Sequence, residues 1–340
     1  MANPVLRNSG ECCRGAPIGQ EQRDRETGRL PGPNAIRRAR EMRVVAGFLR
    51  RGMSNRAKET PTMKRLLRPL KKPLRAFMKA RGPVAMILDR VFVDLHHAYE
   101  NLDYEFATNG ERRVLTLLRD VLGPEPTLFD VGANAGHWSL TAHHLFPMAV
   151  IHAFEIVPQT FVQLQEATRN YPAIHSHDFG LSDVNGHVPV FFSESRSTVA
   201  TSVPNFADRF HSLDVKELSA RVMAGDQFCD DNGLAGIDFL KIDVEGHEHR
   251  VLKGFDGMLQ RSRIKVIQFE YGKINIDTHF LLKDFYDCLG GYGFRVGKIY
   301  PRFVDFGEYR HEREDFLGPN FLAVHESCDH AIWMLSGRGS

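Results

Sequence analysis

The 340-residue sequence predicts an α/β fold: a mostly parallel sheet with helices on both faces and an antiparallel pair of strands near its C-terminal end. Three observations predict it. Short apolar runs alternate with longer stretches of helical spacing through the second and third quarters of the chain. Five strand-like runs end in a carboxylate, at Asp130, Glu155, Asp178, Asp243 and Glu270, where open parallel sheets carry their ligands. The first of them leads straight into a glycine-rich turn, TLFDVGANAGHWS over residues 127–139.

Residues 84–98 and 111–122 (ERRVLTLLRDVL) have apolar residues at helical spacing and read as packing helices ahead of the sheet, the second stopped by Gly123 and Pro124. The opening strand is Thr127–Val131, followed by a helix over His137–Leu145. Residues 149–155 form a second strand, apolar apart from His152, and Pro158 suits the first turn of a helix over 158–170. A third strand at 174–178 precedes GLSDVNGHVPVFF, where Asp183, Asn185 and Gly186 turn the chain into a strand at 187–192. Residues 193–208 are polar and irregular, either a substrate loop or a plain surface loop. Strand 237–244, helix 247–253, strand 263–271 and helix 278–289 follow, and runs 293–300 and 319–325 are expected to pair antiparallel at one sheet edge.

The net charge of +2 hides an asymmetry. Residues 1–81 hold 21 Lys and Arg against 6 Asp and Glu, a net of +15, which leaves −13 for the rest. The first 60 or so residues are rich in Arg, Gly and Pro and poor in aromatics, the composition of a basic arm without fixed structure. Such an arm can touch nucleic acid or an anionic membrane surface, or it is a solvated tail or an over-long gene start ahead of Met53 or Met63. Residues 63–81 mix Leu, Phe and Met with Lys and Arg, although Pro69 and Pro73 interrupt any long amphipathic helix. Five cysteines without a CxxC pair give neither a disulfide framework nor a zinc ribbon, and His175 with His177, like His247 with His249, has no zinc spacing. No run approaches a membrane span and no secretory apolar region is present, so a cytoplasmic location is expected.

The glycine turn must be weighed between two ligands. A dinucleotide site wants GxGxxG, but His137, Trp138 and Ser139 stand where a third glycine would fall. Asp130 also sets a negative charge beside the turn, a poor neighbour for a pyrophosphate and a good one for a sulfonium or amino group. Glu155, 19 residues beyond Gly136, can accept from two vicinal ribose hydroxyls, each such bond contributing roughly 1.5 to 3 kcal/mol. Together these favour S-adenosylmethionine.

LFD before VGANAGHWS, then AFEIVP, GLSD, GIDFLKIDVEGHEHRVLKGF and IQFEYG resemble, in order and spacing, the motifs of FkbM-type S-adenosylmethionine-dependent methyltransferases. The resemblance runs from NGERRVL at Asn109 to NFLAVHE at Asn320, and KIDVEGHE is its most specific part. AFEIVP departs from it, since such proteins more often have a proline directly after the acid. The resemblance implies a class I methyltransferase (Rossmann-like) fold, usually O-methylation in glycan or natural-product pathways, and a domain over 123–326 behind the arm (1–62) and a helical segment (63–122), with a tail at 327–340.

Carried over residue by residue, it implies that Asp130, Gly132, Asn134 and Gly136 surround the methionine part and that Glu155 holds the ribose. Asp178 and Phe179 are candidates for the adenine edge and face, against ordinary loop packing. Asp243, Glu245 and His247 would face the methyl group and the nucleophile. An alcohol needs its proton drawn off as it attacks, and a positioned base contributes about 10²- to 10⁴-fold. Asp243 or His247 can be that base, with His247 otherwise a packing residue at a helix start. Alternatively Asp243, Glu245 and Glu270 bind Mg²⁺ and lower the hydroxyl's pKa. The expected acceptor is a hydroxyl of a sugar, glycan or small natural product, and Trp138, Phe191, Phe206 and Phe210 are candidates to line its cleft. Nucleic acid is not expected, because no Asn-Pro-Pro-aromatic tetrapeptide is present. A non-catalytic binding protein on the same fold and a dinucleotide oxidoreductase are the alternatives.

Overall fold

The computed structural model describes residues 71–193, 196–203 and 215–337, and these divide into two compact units, one ending at Asp94 and one beginning at Leu95. The proposed arm at 1–62, Phe206 and Phe210 lie outside the described residues. In the first unit residues 71–79 are helical, and α1 (Pro83–Tyr99) starts there with proline at its first position. Helical spacing is present in α1, but packing is not: Ala85 is its one buried residue, which corrects the expectation of a packing helix.

The second unit is built on one eight-stranded sheet. β1 (Thr127–Val131), β2 (Val150–Phe154), β3 (Ile174–His177), β8 (Ile237–Ile242) and β9 (Ile264–Glu270) are parallel, in the spatial order β3-β2-β1-β8-β9. β12 (Asn320–His325) then pairs antiparallel with β9 and with β10 (Phe294–Ile299), and β11 (Val304–Phe306) closes the edge. The two C-terminal runs therefore do pair antiparallel, but β12 is interior, and the edge belongs to a three-residue strand too short to read from sequence. The sheet is thus mostly parallel, with β12, inserted between β9 and β10, and the edge strand β11 running against the other six strands.

Helices cover both faces because successive strand residues alternate sides. One face packs Phe129, Val131, Ile242 and Phe269 against α5 (Gly225–Asp231), α6 (Glu248–Gly254), α7 (Asp256–Gln260) and α9 (Leu282–Gly291). The other packs Leu128, Ile151, Phe239 and Val266 against α2 (Glu111–Leu122), α3 (His137–Leu145), α4 (Pro158–Thr168) and α10 (Asp329–Leu335). Residues 327–340, expected as a tail, thus include a helix whose Ala331, Ile332 and Leu335 are buried in this core. A second sheet, β4 (Gly180–Ser182), β7 (Val215–Ala224), β5 (Gly186–Ser193) and β6 (Arg196–Thr201), takes up part of the stretch read as an irregular loop.

Candidate active site

The strand order reverses between β1 and β8, because β1 is followed by β2 on one side while β8 is followed by β9 on the other. Open α/β sheets bind ligands at such a point. Gly132, Asn134 and Gly136 make the turn after β1 with φ of +82°, +49° and +83°, in the left-handed region. A Cβ on Gly132 would stand 1.8 Å from the carbonyl oxygen of Asp243, so only glycine lets the exits of β1 and β8 close on one another. Backbone bonds fix the closure: Gly132 and Ala133 N–H donate to the Phe154 carbonyl at 3.0 and 2.9 Å, and Asp243 N–H to that of Val131 at 2.9 Å.

Glu155, just past β2, accepts from Asn134 N–H through Oε2 (3.0 Å) and from Val157 N–H through Oε1 (2.8 Å). Burial raises its pKa, and the bonds from Val157 and Asn134 oppose that rise. The Ile156 N–H adds a third backbone bond, so of the four lone-pair sites on the two carboxylate oxygens one is left for a further donor. The residue sequence reasoning placed at the ribose is thus tied to the glycine turn and keeps acceptor capacity.

Asp130 lies deeper than expected. It is fully buried beneath the turn, where Ser139 Oγ donates to Oδ2 at 2.7 Å and Lys241 Nζ to Oδ1 at 3.0 Å. The cause is register: Asp130 is the cross-strand partner of Lys241, which is in turn the partner of Gln268, so three polar residues form a row across β1, β8 and β9 on the face covered by α2. Glu111 on the first turn of α2 completes the row, accepting from Gln268 Nε2 (2.5 Å), Asn320 Nδ2 (3.0 Å) and Asn109 Nδ2 (2.5 Å). Burial opposes the charge of Lys241, but Asp130, Asp243 and Glu111 outweigh it and hold the ammonium well above its ordinary pKa. Asp130 therefore supports the turn from below, with both carboxylate oxygens bonded within the protein. Lys241 and Glu111 are the residues sequence reasoning missed, and a signal for Lys241 was present, a lone lysine inside the apolar run IDFLKI.

One pleat further out along the same face, Asp243 and Glu270 follow Lys241 and Gln268 and are brought together with Glu245. Carboxylate oxygens of the three lie within 4.8 Å of one another. Lys241 Nζ reaches Asp243 Oδ2 at 3.2 Å, and the Asp243 side chain is 44% exposed, the open member of the group. Burial, then Asp243, raises the pKa of both Glu245 and Glu270, and a hydrogen bond with Asp243 adds to the rise at Glu270. Glu245 is held at φ +52° with its carbonyl accepting from Thr201 Oγ1 at 2.6 Å. Beneath the turn, Glu248 Oε1 accepts from Val244 and Gly246 N–H at 3.1 Å each, and burial pushes its pKa up to about 7.

His247 is not part of this trio. Its Nδ1 is 2.6 Å from Ser202 Oγ, and burial lowers its pKa to about 4, which leaves the ring neutral and weakly basic at pH 7. Asp178 is exposed and paired with Arg221 at 3.4 Å, and the Arg221 guanidinium stacks 4.3 Å above the ring of Phe179, which is itself buried against Phe154 and Phe228. Phe179 thus offers no open face in this arrangement. Trp138 is a core residue, packed on Phe239 at 5.5 Å.

Residues 130–296 match the Methyltransferase FkbM domain. Hexuronic acid methyltransferase AglP of Haloferax volcanii is 28% identical over 52% of this chain and 69% of its own length. 31-O-demethyl-FK506 methyltransferase FkbM of Streptomyces tacrolimicus is 30% identical over 52% of this chain and 75% of its own. Methyltransferase FkbM of Methylobacillus flagellatus KT, a crystal structure, superposes on 59% of this chain and 44% of its own at 16% identity and a TM-score of 0.38. With the matched segment running from the buried Asp130 through the turn, Glu155 and the carboxylate trio, the chain belongs to the FkbM family of methyltransferases.

Proposed function

We propose that this chain transfers a methyl group from S-adenosylmethionine to a hydroxyl of a sugar, glycan or small natural product. The observation that carries the proposal is the meeting, at the β1/β8 switch point, of a glycine turn tied to Glu155 with an open carboxylate on the adjoining strand exit. The name of one curated relative, for a 31-O-demethyl natural product, supports a hydroxyl acceptor, and that of the other, for a hexuronic acid, supports a sugar-type acceptor. When bound, S-adenosylmethionine supplies an electrophilic methyl carbon whose sulfonium leaves as a neutral thioether.

In this reading Glu155 accepts from a ribose hydroxyl with its remaining lone pair, and Gly132, Asn134 and Gly136 shape the backbone beside the methionine part. Asp178 lies at the adenine edge. Phe179 contributes from beneath, through packing, and Asp130 and Lys241 hold the turn. Asp243 takes the acceptor's proton as the new O–C bond forms and the C–S bond breaks. Burial, then Asp243, pushes the pKa of the Glu245 carboxyl up to about 8 and raises that of Glu270. Mg²⁺ is the weaker assignment for the trio, because Lys241 already balances Asp243 and Glu270 already bonds to it.

The test is methyl transfer from labelled S-adenosylmethionine to a panel of uronic acids, oligosaccharides and hydroxylated natural products. Transfer to a hydroxyl by the parent, with turnover reduced about 10²- to 10⁴-fold in Asp243→Asn at unchanged cofactor affinity, is the expected outcome. Undiminished turnover in Asp243→Asn removes it as the base, and transfer that chelated protein loses and Mg²⁺ restores returns the trio to a metal.

A further inference from the structure

Helix α1 presents a feature that methyl transfer does not use. Val84, Ile87 and Val91 recur at i, i+3 and i+7, so they form one stripe along the helix, and they are 59%, 63% and 45% exposed. Asp89 lies on the opposite side of the helix from this stripe. The preceding helical residues 71–79 repeat the pattern on a smaller scale. Leu74 and Phe77 share an exposed face, and Lys72, Arg75 and Lys79 fall on the opposite one. Residues 71–81 carry Lys71, Lys72, Arg75, Lys79 and Arg81 and no acidic residue.

An apolar stripe exposed on a helix is an unsatisfied surface, and its neighbours say what satisfies it. A second copy would bring the same five cations against the first, a like-charge approach that disfavours pairing through this segment. A bilayer carrying anionic lipids meets both demands at once, the headgroups taking the cations and the acyl boundary taking the stripe. No helix among the described residues is long and apolar enough to cross a membrane, so the fitting geometry is a helix lying in the interface plane. We infer that residues 71–94 form an amphipathic, basic membrane-surface anchor that selects anionic phospholipid. The inference stands apart from the methyltransferase reading, since neither its residues nor its test touches the β1/β8 site.

The experiment is flotation of the full chain with vesicles of phosphatidylcholine, with and without phosphatidylglycerol, at low and high salt. Two variants accompany it: Ile87→Glu/Val91→Glu in the stripe, and Lys71→Glu/Lys72→Glu/Arg75→Glu in the basic segment. Circular dichroism and the melting temperature of each check that the fold is kept, and Ile87→Ser/Val91→Ser replaces the first if it is not. The expected result is flotation with phosphatidylglycerol vesicles only, reversed by salt and reduced at least about tenfold by either variant. No flotation, equal flotation with the neutral vesicles, or flotation that the stripe variant leaves unchanged each overturns the inference. So does a parent that sediments as a dimer and a stripe variant that sediments as a monomer without lipid binding, since the face then belongs to a second copy.

Discussion

Lys241 shows how one residue organises the site. It is a buried cation whose partners come from two different strands, Asp130 beneath the glycine turn and Asp243 at the open end of the trio. Breaking a buried pair from one side leaves the other charge uncompensated, at a cost of about 3 to 5 kcal/mol. Lys241→Met is therefore expected to lower unfolding stability by about that amount in denaturant titration, whereas Lys241→Met/Asp130→Leu recovers part of the loss by removing both charges. Equal stability of the single variant and the parent would mean the pair carries no structural weight. Much of this was legible in the sequence at the level of residue type: the glycines, Glu155 and Asp243 stand where strand ends require them. Depth was not legible. Asp130 and Asp243 look alike in the chain, and only cross-strand register makes one a buried support and the other an open carboxylate.

At the scale of the element, the turn from β8 into α6 carries an ionisable device. Glu248 caps that turn by accepting from Val244 and Gly246, yet it is buried and its pKa is pushed up to about 7. An ordinary carboxyl titrates near 4.3. The folded state therefore holds a proton that the unfolded chain has already lost between these values, and the contribution to stability falls as pH rises through that window. Glu248→Gln, which keeps an acceptor oxygen but cannot ionise, should gain on the parent by up to about 1.4 kcal/mol per pH unit between roughly pH 5 and 7. Chemical unfolding at a series of pH values checks this, and a difference between variant and parent that does not change with pH contradicts it. Helices α2, α3, α4, α6 and α9 and the central parallel strands of the main sheet were readable from their apolar period, whereas the short α5 and α7, and α10 in the stretch expected as a tail, were not. β7 was not, because VKELSARVMA is a mostly polar, half-exposed strand whose partners are distant in the chain, and β12 could be read as a strand but not placed between β9 and β10, since chain order does not give spatial order.

The chain joins a basic N-terminal region, +15 over residues 1–81, to an acidic remainder of net −13 that carries the match to the FkbM domain. The charge asymmetry is plain in the sequence, whereas the exposed stripe of α1 is not, because helical spacing looks the same whether the apolar face is buried or bare. In the acidic unit, folding brings the exits of β1, β2, β8 and β9 to one place, where we propose that S-adenosylmethionine binds through Glu155. Titration calorimetry with S-adenosylhomocysteine tests it most directly. The expected result is one-to-one binding by the parent, affinity kept in Asp243→Asn, and affinity at least about tenfold weaker in Glu155→Ala, the loss of one charged hydrogen bond. No binding by the parent, or equal affinity in Glu155→Ala, would contradict it.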